Sequence, residues 1–134
     1  MKNRYATVLL LAIGSATALL MEKDLVSNWI ATLNLRFEHE VGRNAAPGNV
    51  FSYAARFKYS LNPLFDPAVE FFGVPGRINH TPTFSSQTHW VGPAFYGKKK
   101  LGDGHALVYS GTRLFGTTSA AADKRAVMRL EYEF

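Results

Sequence analysis

The chain contains no cysteine among its 134 residues, which removes disulfide frameworks, thiolate zinc sites and cysteine nucleophiles together. Nor does it contain a basic stripe. Its formal net charge is +5, but only Lys98, Lys99 and Lys100 form a run and the other basic residues are scattered. No nucleic-acid partner is therefore expected, because phosphate neutralisation needs clustered cations. Beyond the apolar amino-terminal run there is no helical period and no repeat at solenoid spacing. The four histidines, His39, His80, His89 and His105, include no pair at the spacing of a helix-borne HExxH, so neither a metal site nor a cofactor is expected. Ser110 and His105 have opposite strand parity and cannot share a face, so no catalytic residue is assigned.

What is present is alternation. The chain is 47% hydrophobic and 19% charged, enough for one domain, and its mean hydropathy is −0.06. A value near zero would exclude a helical membrane protein, but it does not separate a soluble protein from a transmembrane barrel, whose strands alternate apolar and polar residues. In 27–41, Trp29, Ala31, Leu33, Leu35 and Phe37 oppose Thr32, Asn34, Arg36, Glu38 and Glu40. Phe51, Tyr53, Ala55, Phe57, Tyr59 and Leu61 likewise oppose Ser52, Arg56, Lys58 and Ser60. Shorter strands are expected at 68–73, where Glu70 opposes Val69 and Phe71, and at 88–97, where Pro93 cannot donate to a ladder. Further strands are expected at 105–116 and 125–134. Turn chemistry falls at 42–48, 62–67 and 98–104, and the stretches 74–87 and 117–124 read as loops.

The amino end reads as an address. A basic start, Lys2 and Arg4, precedes an apolar run containing Leu9, Leu10 and Leu11, and then Ala16 and Ala18 in A-x-A spacing. This is the pattern of a secretory signal peptide cleaved after Ala18, with a membrane anchor or buried helix as the alternative. The run is short against the roughly 20 residues of a spanning helix. The expected division is a signal peptide at 1–18 and a β-barrel domain at 19–134. Loss of Lys2 and Arg4 leaves 13 basic against 10 acidic side chains.

The last ten residues are Arg-Ala-Val-Met-Arg-Leu-Glu-Tyr-Glu-Phe, in which Ala126, Met128, Leu130, Tyr132 and Phe134 alternate with charges. This stretch resembles the C-terminal strand of Gram-negative outer-membrane β-barrel proteins. The resemblance implies an outer-membrane location, membrane lipid as surroundings, and recognition by the barrel-assembly machinery through Met128, Leu130, Tyr132 and Phe134. The segments 62–73 and 91–97 are similar to later strands of outer-membrane proteins of the phenol-degradation MetA-pathway type, which implies a barrel or transporter role.

The expected fold is thus all-β: an antiparallel transmembrane β-barrel, or part of one, with about six strands. Single-chain barrels start at about eight. Either the chain is the C-terminal part of a larger barrel, or strands pair between chains in a homo-oligomer, or residues 5–21 contribute another span. On the assigned parity the lumen carries Arg36, Arg56, Lys58, Arg125 and Arg129 against Glu38, Glu40, Glu70, Glu131 and Glu133. Equal numbers of each sign imply a charge-paired, largely closed interior and a structural or passive, porin-like role without strong selectivity. If the first and last strands meet on closure, Glu38 and Glu40 face the same sector as Arg125 and Arg129. The same alternation would also serve a secreted or periplasmic barrel turned inside out around a small apolar ligand. A lipid-modifying outer-membrane hydrolase is a further, weaker alternative, since no serine and histidine come close on one strand with matching parity.

Overall fold

The computed structural model describes residues 6–13, 16–25, 27–39, 48–78, 80–121 and 123–134. These form one eight-stranded sheet whose order in space is its order in sequence. The strands are β1 (Ala6–Ile13), β2 (Ala16–Asp24), β3 (Trp29–His39), β4 (Asn49–Tyr59), β5 (Asp66–Arg77), β6 (Thr88–Gly102), β7 (His105–Gly116) and β8 (Lys124–Glu133). Every neighbouring pair is antiparallel. Among the described residues the remaining regular element is a single 3-10 turn, Phe84–Ser86, in the connection between β5 and β6. Among the described residues no ladder joins β8 to β1, so the sheet is open and both strands are edges.

The strand count is eight where the alternation counts six: β1 lies within the stretch 1–18 that reads as a leader, and β2 begins in that stretch at Ala16 and runs on to Asp24. β1 pairs with β2 from Ala6↔Lys23 to Ile13↔Ala16, and β2 continues into β3 from Ala16↔Glu38 to Asp24↔Ile30 without a slip. A continuous apolar run has no period to identify it, and a leader and a strand look alike in such a run. Two further boundaries move. β5 runs on through Val74, Pro75 and Gly76, crossing a bulge opposite Phe51 and Tyr53, with Gly76 at φ 102°. β6 runs on through the three lysines to a two-residue turn, Asp103-Gly104, with both φ positive, the geometry that best fits the twist of a hairpin.

The face assignments hold strand by strand. Cross-strand partners lie on one face, and the register places Trp29 with Tyr59, Ala31 with Phe57, Phe57 with Val69, Val69 with Pro93, and Gly111 with Met128. The opposite face carries Arg36, Glu38, Arg56, Lys58, Glu70, Arg125, Arg129, Glu131 and Glu133. Glu40 lies outside the described residues.

Burial runs opposite to that of a soluble domain. The larger buried side chains of the strands, Glu70, Trp90 and Leu114, belong to the polar face, as do buried Ala68, Ala94 and Ala106; on the apolar face the buried strand positions are His89 and the ring-covered Gly73, Gly97 and Gly111. Phe57, Trp29, Val69, Phe71, Met128 and Leu130, on the apolar face, are exposed. The sheet therefore curls with its charged face inward.

Small residues permit the curl. A Cβ on Gly92 would lie 1.7 Å from the Arg113 carbonyl oxygen, so only glycine lets β6 approach β7 there, beside Pro93. On the outer face Tyr53 covers Gly73, Tyr109 covers Gly97 and Phe95 covers Gly111, each ring lying across the glycine of its own cross-strand partner. The ring restores to the surface the packing that the glycine lacks.

Candidate functional site

The inward face encloses a cavity of about 360 Å³. Its wall draws on all strands from β2 to β8, with Leu20 of β2 and Val127 and Arg129 of β8 facing the same space. Its chemistry follows from register. Glu22, Thr32, Arg56 and Glu70 are successive cross-strand partners, so four strands set a carboxylate, a hydroxyl, a guanidinium and a second carboxylate in one row.

Arg56 is the centre of this row. Its Nη2 donates to Thr32 Oγ1 at 3.2 Å and lies 3.8 Å from a Glu22 carboxylate oxygen. Thr32 in turn donates to Glu22 at 3.1 Å. The guanidinium carbon sits 4.6 Å from the centre of the Tyr96 ring, within reach of a cation–π attraction. Arg56 Nε is buried and has no hydrogen-bond partner. Glu70, only 7% exposed, accepts from Thr112 Oγ1 at 2.8 Å, which ties β5 to β7 across β6.

The ends of the interior are occupied as well. Toward the 117–123 connection, Trp90, Leu114 and Ala121 form a small apolar cluster with Phe72 packed on it, and the Arg125 guanidinium lies 4.5 Å from the Trp90 ring centre. Toward the opposite end Lys58 lies 3.5 Å from Asp66, and Lys98 pairs with Glu133. The interior is thus layered, with an apolar cluster at one end, the Arg56 row in the middle and ion pairs at the other.

The expected lumen charges share one face, but not all of them meet. Arg36 pairs with Glu38 and Arg129 with Glu131, each within its own strand. The sector expected to join Glu38 to Arg125 and Arg129 does not form, because β1 and β2 lie on the β3 side of the sheet. Sequence reasoning missed Glu22, Thr32, Tyr96 and Thr112. The first lay between the expected leader, 1–18, and the first expected strand, 27–41, and the others become partners of the charges only through long-range register. Met128, Leu130, Tyr132 and Phe134 stand exposed on the outer face.

His89 faces the apolar side but is buried, covered by the β5–β6 connection. Gln87 Nε2 donates to Pro82 O at 3.0 Å, which turns its Oε1 toward His89 Nε2 at 2.8 Å. That oxygen only accepts, so Nε2 carries the proton and Nδ1 accepts from the Tyr53 hydroxyl at 2.8 Å. Phe84 stacks on the ring at 4.8 Å. With both ring nitrogens satisfied, the histidine pins the connection to β4 and β6. Among the described residues no three metal-ligating side chains come together, and Ser110 lines the cavity while His105 stacks on Tyr132.

The class that fold and site define is an all-β protein: an open antiparallel sheet curled around a charged interior. Comparison with protein-family models, with curated proteins and with solved structures finds no match to the chain.

Proposed function

We propose that the chain builds an outer-membrane β-barrel whose apolar face meets lipid and whose charge-paired interior is largely closed, with a structural or passive channel role and no catalysis. The observation that carries this reading is the inverted burial. A water-soluble barrel hides its apolar face, whereas here Phe57 is 43% exposed and Glu70 only 7%. Lipid is the solvent in which that arrangement is stable. Strand length agrees, since β3 and β4 have 11 residues each, and a tilted span needs roughly 9 to 11. A ligand-binding barrel for an apolar molecule would want a wholly apolar cavity; this one sets the charged Arg56, Glu70 and Arg129 among Leu20, Phe72 and Val127.

Hydrocarbon tolerates no unpaired strand edge, so in the membrane the edges of β1 and β8 are paired. Closure of β1 on β8 accomplishes this within one chain, and the cavity wall shared by β2 and β8 favours it over pairing with a second copy. Residues 6–24 then serve as spanning strands.

Arg56 is the crossbar of the passage. Planar-bilayer recordings of the refolded protein are expected to show little or no ion conductance. Arg56→Ala is expected to open small, cation-preferring steps, because Glu22 and Glu70 remain without their counter-charge. Large selective steps from the unaltered protein, or steps of anion preference from the variant, would contradict the closed interior.

A further inference from the structure

The outer face carries a groove of about 520 Å³ across β5 to β8, lined by Phe65, Phe95 and Met128 and by the smaller Pro93 and Ala126. Pro93 and Ala126 keep it low between the long side chains, and the Phe95 ring lies over Gly111 beside them. One charged residue enters the lining: Arg113. It sits on the apolar face as the partner of Ala126, and Lys124 follows on the same face as the partner of Phe115. Two exposed cations therefore stand diagonally on adjacent strands, at the end of β7 nearest the 117–123 connection.

Neither cation has an acidic partner among the described residues. The contact Arg113 makes is with the Phe115 ring, 5.7 Å from its guanidinium carbon. Asp123, next to Lys124, accepts a hydrogen bond at its backbone oxygen from Gly116 at 3.1 Å. Two like charges on neighbouring strands repel each other, and a cation on a lipid-facing surface is tolerated near the interface far better than at the midplane. An anion held between the two removes both costs.

We propose that this groove holds one acyl chain of a phosphorylated membrane lipid, with Arg113 and Lys124 binding its phosphate. The site rests on the reading of the apolar face as lipid-facing. Arginine suits the phosphate because its planar fork donates two parallel hydrogen bonds, and Lys124 adds a point charge. The groove supplies a length of apolar wall that a free phosphate ion could not use.

Native mass spectrometry of the detergent-refolded full chain tests the site, with dimyristoyl phosphatidic acid as probe and dimyristoyl phosphatidylcholine and inorganic phosphate as comparators. Retention of one phosphatidic acid is expected, at least tenfold over phosphatidylcholine. Arg113→Gln and, independently, Ala126→Leu, which fills the groove while keeping both cations, are each expected to lower it at least tenfold. Equal retention of the two lipids, unchanged binding by Arg113→Gln, or phosphate alone binding as well as the lipid would overturn the site. Heat-modifiable gel mobility of the same samples separates the two claims. A folded, inserted protein without lipid preference overturns this site alone, and a chain that never inserts overturns the barrel reading with it.

Discussion

Strand β8 and the β6–β7 pair invert the usual relation between sequence pattern and burial. β8 alternates with two exceptions, an outward Lys124 and an inward Val127, yet every one of its residues is exposed. β6 and β7 interrupt their alternation with Gly92, Pro93 and an outward Arg113, yet they hold Trp90, Ala94, Ala106 and Leu114, the last only 2% exposed. Alternation therefore reports that a strand has two different surroundings, and says nothing about how tightly either one packs. Packing in this sheet comes from curvature, and curvature comes from the residues that spoil the pattern.

That contrast can be broken most sharply at Gly92. Replacing it with leucine puts atoms where the Arg113 carbonyl already lies, and backbone cannot swing aside as a side chain can. The expected loss is about 3 kcal/mol or more, read as a lower urea midpoint for unfolding from detergent micelles or as failure to refold. A variant of unchanged midpoint would show that the close approach of β6 and β7 does not shape the sheet. The smallest effect is expected in β8. Val127→Thr alters an exposed residue on the inward face of an edge strand, so the midpoint should move by no more than about 0.5 kcal/mol. A larger loss would mean that β8 is packed in the assembled barrel far more closely than in the open sheet.

How much was legible in the sequence follows from the same distinction. The faces of β3, β4 and β8 could be read directly, because a period of two survives without knowledge of neighbours. β1 and β2 could not, since Val8 to Ala12 is apolar at every position and fits a secretory leader equally well. The ends of β5 and β6 were hidden by Pro75, Gly76 and the lysine run, residues typical of turns that here sit in ladders around a bulge and a hairpin. Of the interior, the charges were visible and their partners were not. Arg56 meets Tyr96 and Glu22 only because register, fixed by contacts far apart in the chain, brings β2, β4 and β6 around one cavity.

The central claim is that the apolar face meets lipid and the charged face does not, and the chain's two tryptophans probe one face each. Trp29 lies on the apolar face at 44% exposure, and Trp90 lies inside at 8%. Single-tryptophan variants, Trp90→Phe and Trp29→Phe, refolded into vesicles of acyl-chain-brominated phosphatidylcholine, report which ring touches hydrocarbon. Strong quenching of Trp29 with little of Trp90 is the predicted result. Quenching of Trp90 above Trp29, or of neither, would contradict the account.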